Sequence, residues 1–182
     1  MIFEIVIHPD SRLRKISKPV TEIDEQFKQF LKDFTETMYE RDGVGLAAVQ
    51  VCVLKRVIVI DVSEPKTKED RKPVIYINPR IVDFGGEIEV EEGCLSVPKI
   101  YEPVKRYEWV KVIAQDINLQ EFEVEAKDVL AIALQHEIDH LDGKLFIDKI
   151  SPLKYQRITS KMEKYKKNLE KQKEKAKEAQ KE

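Results

Sequence analysis

The segment from Asp128 to Leu141 constrains the fold more than any other part of this 182-residue chain. It has the periodicity of a helix but is apolar nearly all round, and such a helix must lie in the interior of a domain. Within it, His136 and His140 are four residues apart, so their imidazoles lie on one helical face, one turn apart. We expect Asp128 to cap this helix and Gly143 to end it.

Glu137 completes a His-Glu-x-x-His pattern with the two histidines. Two imidazoles on one helical face can bind one metal ion, whereas the glutamate beside the first points elsewhere and can transfer protons on a metal-bound water. Two buried imidazoles that bind no partner would carry an uncompensated desolvation cost. The helix therefore predicts a metal-dependent hydrolase.

The third metal ligand decides which class of hydrolase this is. A zinc endopeptidase would take that ligand from a later helix, where Glu163 is available. Cys94, in the segment 92–96 (Glu-Gly-Cys-Leu-Ser), would instead complete a Cys-His-His site with one position open for water. A further alternative is a closed, purely structural metal site. A lone cysteine is more often a small buried hydrophobe, which is what we expect of Cys52.

The segment 43–50 (Gly-Val-Gly-Leu-Ala-Ala-Val-Gln) matches a relaxed dinucleotide-binding fingerprint. Its context excludes that function, because it follows a predicted helix and leads into a predicted strand, the reverse of the required order. The glycines either let the backbone approach a ligand or simply turn the chain. In the first case Gln50 is a neutral donor suited to stabilise an oxyanion.

The remaining pattern predicts an α+β fold, with mostly antiparallel β-sheets around the central buried metal-binding helix and with an N-terminal and a C-terminal helix. The N-terminal helix is expected over 24–41, ended by the glycines at 43 and 45, and Ser151-Pro152 is expected to start the last helix. Strands are predicted at 56–62, 74–78, 87–90, 108–114 and 120–124. We expect one domain, in which 1–150 form the catalytic part and 151–182 a basic helix with a frayed tail.

Charge is distributed unevenly along the chain. The net charge is only −2, but residues 152–182 hold 11 Lys or Arg against 5 Asp or Glu. A cationic C-terminal segment of this kind either binds an anionic partner or is simply a solvated helix. The sequence shows no secretion signal and no apolar run of membrane-spanning length, so we expect a soluble cytoplasmic protein with reduced cysteines.

The segments 43–50, 92–96 and 135–140, in this order and spacing, resemble the three signature motifs of peptide deformylases, the enzymes that remove formyl from new bacterial proteins. The resemblance covers essentially the whole chain. It implies that Cys94, His136 and His140 bind one divalent metal ion, Fe²⁺ in this family, with zinc, nickel or cobalt able to occupy the same site. The implied substrate is the N-terminal formylmethionine of nascent peptides, and the implied product is formate.

The resemblance also implies a role for each neighbouring residue. Glu137 would be the general base and acid, and the Gln50 side chain and the Leu95 N–H would stabilise the oxyanion. Other residues would contact the substrate or only pack in the core, namely Val44, Gly45, Gly93, Val129, Ile132 and Ala133. In one departure, this chain has Tyr101 where many bacterial members have an arginine.

The implied partners are formylated nascent peptides and, through the basic C-terminal helix, the ribosome near the exit of the nascent chain. Neither a membrane nor a specific nucleic acid is expected as a partner. The implied location is the bacterial cytoplasm.

Overall fold

The fold is described by a computed structural model that covers residues 1–181. Glu182, at the end of the predicted tail, lies outside the described residues. In the described range the helices are α1 Glu25–Glu40, α2 Asp128–Leu141 and α3 Pro152–Ala179. The strands are β1 Gly45–Ala47, β2 Val57–Ile60, β3 Val74–Gly85, β4 Ile88–Cys94, β5 Val97–Arg106, β6 Trp109–Gln115 and β7 Glu121–Lys127.

The strands form two antiparallel sheets. One has five strands in the order β1-β2-β3-β6-β7, and the other is the β4–β5 pair. All five strand pairings in the described residues are antiparallel. The predicted α+β fold with mostly antiparallel sheets is therefore confirmed.

Helices cover both faces of the five-stranded sheet. Because side chains alternate along a strand, Ile58 and Ile60 of β2 pack on the side of α2. Val57 and Val59 pack on the opposite side, with α1. All four are buried, so β2 is a continuous apolar run that lies between two helices.

A third apolar cluster attaches the β4–β5 sheet to the C-terminal helix. Val97 and Val104 of β5 pack there with Phe146 and with Ile158 and Met162 of α3. All five side chains are buried. The first part of α3 therefore packs on the body of the protein.

The structure corrects the predicted end of α1 and start of α2. Lys127, not Asp128, is the N-cap of α2, without a side-chain cap hydrogen bond; Asp128 is the first helical residue and has a φ of 54°. Helix α1 ends at Glu40, and Asp42, rather than a glycine, takes the left-handed conformation there, with a φ of 55°. Gly143, with a φ of 72°, does follow the end of α2 as expected.

Two strands were not predicted. β5 was missed because Pro98, Lys99 and Pro103 interrupt its alternation, and the three-residue β1 is too short to show a period. Cys52, expected to be buried, is exposed, and both cysteines are free. Within residues 1–181, no helix combines the length and the apolar character that crossing a bilayer requires.

His8 links the N-terminal segment to α3. Its side chain is only 2% exposed, and its Nε2 lies 2.8 Å from Thr159 Oγ1. Burial lowers the pKa of His8 from 6.5 to about 4; Arg14 and Lys166 lower it further, whereas Asp148 opposes them. Between these two pH values the unfolded chain binds a proton that the folded chain does not, so stability decreases as the pH falls through this window.

We therefore expect the free energy of unfolding to depend less on pH in His8→Gln than in the wild type. Between pH 7 and pH 4.5 the wild type should lose about 2 kcal/mol more than the variant, measured by urea unfolding at a series of pH values. Parallel curves for the two proteins would contradict this role of His8.

Candidate metal centre

Three potential metal ligands lie together between α2 and the turn that follows β4. The ligand atoms of Cys94, His136 and His140 all lie within 4.8 Å of one another, and Cys94 Sγ is 3.3 Å from His140 Nε2. Glu163, the alternative third ligand, is exposed on α3 and is not part of this group. The geometry therefore favours the cysteine over the glutamate.

The donor set fits a divalent transition metal. One thiolate and two imidazoles suit zinc or iron, and three protein ligands leave a coordination position open. Glu137 Oε2 is buried beside them without a hydrogen-bond partner in the described residues. Such an atom requires a partner, which a molecule in the open position can supply.

A buried ion-pair network holds His136 in one orientation. His136 Nδ1 lies 2.7 Å from Glu92 Oε1, and Arg106 binds both carboxylate oxygens of Glu92 at 2.6 and 2.8 Å. Burial opposes the charged form of Glu92, but hydrogen bonds from Arg106 and His136 lower its pKa to about 2. Because this carboxylate accepts from Nδ1, the lone pair of Nε2 is left for a metal.

Arg106 also reaches back to the metal-binding helix. Its Nη1 donates to Asp139 Oδ2 at 2.6 Å, so one guanidinium joins β4, β5 and α2. Sequence reasoning assigned no role to Glu92 or Arg106, and it left Asp139 open as either a residue that supports the metal site or an ordinary solvent-facing helix residue. Glu92 could have been suspected from its position two residues before Cys94, whereas nothing in the sequence distinguishes Arg106 from the many exposed cations.

The amide group of Gln50 is held by contacts on both sides. Its Oε1 accepts from the Ala47 N–H at 2.9 Å, so its Nε2 is directed at Ser96 Oγ, 3.0 Å away, and at Cys94 Sγ, 3.6 Å away. Ser96 is fully buried, and its N–H lies 3.4 Å from Cys94 Sγ. Sequence reasoning missed this contribution of Ser96, although the residue lies within the cysteine motif.

Glycine at position 45 is required by the close approach of β1 to α2. A Cβ atom at Gly45 would lie only 2.6 Å from Glu137 Oε1, so any larger residue would displace the carboxylate. The close neighbour of Gly45 is thus the Glu137 side chain, which belongs to the candidate site. Burial raises the pKa of Glu137 to about 7, a value suited to exchanging protons near neutral pH.

A cavity of about 460 Å³ opens beside the cluster. It brings together the residues predicted for catalysis and for substrate contact, namely Val44, Gly45, Gln50, Gly93, Leu95, Val129, Ile132, Ala133 and Glu137. Of the metal group, Cys94 and His136 also line it. The cavity thus combines a candidate metal site with a carboxylate whose pKa is near neutral and with an oriented amide donor. These groups together are suited to hydrolysing a carbonyl compound.

Known proteins resemble this chain in sequence and in overall structure. The sequence model of the family described as polypeptide deformylase matches residues 2–156. A protein named peptide deformylase from Tolumonas auensis is 48% identical over 165 residues, which cover 91% of this chain and 96% of that protein. Another of that name, from Pseudoalteromonas translucida, is 50% identical over 161 residues, covering 88% and 94%. The crystal structure of a peptide deformylase from Legionella pneumophila aligns with a TM-score of 0.86 at 46% identity, covering 93% of this chain and 98% of that one.

The geometry predicts that Cys94→Ala loses the metal, because two imidazoles alone bind a divalent ion weakly. After dialysis, elemental analysis should find about one ion per chain in the wild type and almost none in this variant. Cys52→Ala is the matched control and should retain the ion, as should Glu163→Ala. Full metal content in Cys94→Ala, or its loss in Glu163→Ala, would contradict the proposed ligand set.

Proposed function

Because the chain belongs to the polypeptide deformylase family, we propose that it removes the formyl group of N-formylmethionyl peptides at the Cys94–His136–His140 site. The observation that carries this proposal is the position of Glu137. Its carboxylate is buried next to the potential ligands and lines the open cavity, with one oxygen lacking a partner in the described residues. The reaction consumes water and yields formate and a free N-terminal amine.

Glu137 performs the proton transfers of this reaction. Cys94, His136 and His140 would hold a divalent ion, which would supply a more acidic water molecule and would polarise the formyl carbonyl. Glu137 Oε2 accepts a proton from the attacking water, and the carboxyl group then delivers this proton to the departing amine.

Gln50 and Leu95 stabilise the negative charge that develops on the formyl oxygen. The Gln50 Nε2 and the Leu95 backbone N–H are the donors. Ala47 and Ser96 hold the Gln50 amide in one orientation beside Cys94, and donors that are fixed in advance are the most effective at stabilising a developing charge.

The substrate is held by one side-chain pocket and by its backbone. The methionine side chain fits the apolar wall of Val129, Ile132 and Ala133, with Val44 completing it. The extended peptide pairs with the backbone of β1, which is one of the two edge strands of its sheet, and runs past Gly93. Backbone pairing does not read sequence, as suits an enzyme that processes many different proteins.

Fe²⁺ is the metal that we propose for the working enzyme, with zinc, nickel or cobalt able to replace it. A thiolate with two imidazoles accepts all of these ions. Both ferrous iron and an accessible thiolate are oxidised in air, so assays need anaerobic buffer.

Replacing Glu137 by Gln should lower the rate of formate release from a formyl-Met-Ala-Ser peptide by about 10²- to 10⁴-fold, because the proton acceptor is lost. The metal content should stay unchanged. Glu163→Gln, which alters an exposed carboxylate of α3, is the control and should keep wild-type activity. Undiminished formate release by Glu137→Gln would show that another group transfers the proton.

We also propose that α3 docks on the ribosome, in the cytoplasm of a bacterium. Arg157, Lys161, Lys164, Lys171 and Lys175 recur at steps of three, four and seven residues, so they form one cationic stripe along the helix. All five are exposed. Three other lysines of α3 are paired with carboxylates of the body, whereas the stripe forms no ion pair within residues 1–181. Unpaired cations in a row suit a phosphate backbone.

Charge reversal in the stripe should weaken this docking. The double variant Lys164→Glu/Lys171→Glu should lower the fraction that co-sediments with ribosomes by about tenfold, while formate release from a short peptide stays normal. Lys167→Glu/Lys177→Glu changes the net charge equally outside the stripe and should have a smaller effect. Unchanged sedimentation of the first variant, or equal losses for both, would contradict docking by the stripe.

A further inference from the structure

A buried carboxylate lies beside β1, the strand that we propose pairs with the substrate. Asp61 comes directly after β2 and is only 3% exposed. It does not line the cavity, and the proposed mechanism does not use it. Burial opposes its charged form, but hydrogen bonds from Ser63 and Tyr39 lower its pKa from 3.8 to about 2. A buried charge needs hydrogen-bonded partners, so the residues that supply these bonds are held in place as well.

The Asp61 carboxylate joins helix α1 to the segment between β2 and β3. Its Oδ2 accepts from the Tyr39 hydroxyl at 2.5 Å and from the Lys72 N–H at 2.8 Å. Its Oδ1 accepts from the N–H and the hydroxyl of Ser63 at 2.9 and 2.5 Å. Of these donors, Tyr39 alone belongs to α1. The Tyr39 hydroxyl therefore ties the end of this helix to the sheet.

The turn that leads from α1 into β1 is attached to Asp61 at both of its ends. At its start, Tyr39 binds the carboxylate, and the Asp42 N–H donates back to the Tyr39 carbonyl at 3.0 Å. At its end, the Val44 carbonyl accepts from the Asp61 backbone N–H at 2.8 Å. Asp42, Gly43 and Val44 all line the cavity. One residue outside the cavity thus fixes the turn at which the proposed peptide-binding edge begins.

We propose that Tyr39 is a positioning residue, whose bond to Asp61 fixes the edge of β1 for the backbone of the formylated peptide. A hydroxyl that donates to a carboxylate forms a short and strong hydrogen bond. The Tyr39 ring is also held from its face, because the Arg71 guanidinium lies 3.9 Å from the ring centroid. An edge that is fixed before binding lowers the entropic cost of binding. This inference rests on the proposed deformylase function.

Two substrates of different length test the inference on the intact metal-loaded enzyme. Formyl-Met-Ala-Ser has a peptide backbone that can pair with β1, whereas formylmethionine amide ends at the methionine. Tyr39→Phe keeps the ring and removes the hydroxyl. The ratio of kcat/KM for the tripeptide to kcat/KM for the amide should fall about three- to tenfold in this variant. The loss on the tripeptide should lie in KM rather than kcat, because a contact remote from the formyl group is equally strong before and during the reaction.

Ser63→Ala is the matched control, because it removes a hydroxyl bond to the same carboxylate but leaves the tie to α1, so the ratio should stay unchanged. Both substrates are measured with one preparation, so the ratio does not depend on how much of a variant is folded. A wild-type ratio near one, an unchanged ratio in Tyr39→Phe, a loss in kcat alone, or the same fall in Ser63→Ala would overturn the inference, while formate release by the wild type still supports the deformylase function. If the wild type releases formate from neither substrate, the proposed function fails, and the inference fails with it.

Discussion

The burial of α2 is the constraint on which the rest of the structure depends. A helix that is apolar on nearly every side must be covered on nearly every side, and here the five-stranded sheet covers the flank that carries Leu134 and Leu141. The opposite flank carries His136 and His140, whose polar atoms lose water when the helix is buried. Such atoms need partners, and the surrounding elements place Cys94 Sγ beside His140 Nε2 and the Glu92 carboxylate beside His136 Nδ1.

The Glu92–Arg106–Asp139 network provides a partner for His136 and links α2 to the β4–β5 sheet. A buried ion pair is weak evidence for stability, because desolvation of both charges offsets their attraction. Here the network has a positional consequence, since Glu92 sets the tautomer and the ring orientation of His136. The same guanidinium binds Asp139 of α2, so the helix and the β4–β5 sheet are held in the one relation that brings Cys94 to the histidines.

Periodicity predicted the helices whose burial follows a regular pattern along the chain. The apolar steps of α1, the all-round apolar α2 and the Ser-Pro start of α3 were all visible because local patterns reflect local burial. β5 was not visible, since Pro98 and Pro103 break its alternation and its partner β4, rather than its own pattern, holds it in place. The expectation that Asp128 caps α2 was wrong. The backbone turn places the N-cap one residue earlier, at Lys127, so the ability of an aspartate to cap a helix is not used there.

The sequence by itself determined the chemistry that is available: two imidazoles and a carboxylate on one buried helix, a cysteine and an amide elsewhere in the chain, and the motif spacing that identifies the family. The residue patterns left open whether Cys94 or Glu163 lies with the two histidines. Only the tertiary structure decided this point, because it depends on contacts between segments that are remote in sequence. The contacts of Ser96 and Arg106 could not be predicted either, because a side chain that binds a partner remote in sequence leaves no periodic signal in its own segment.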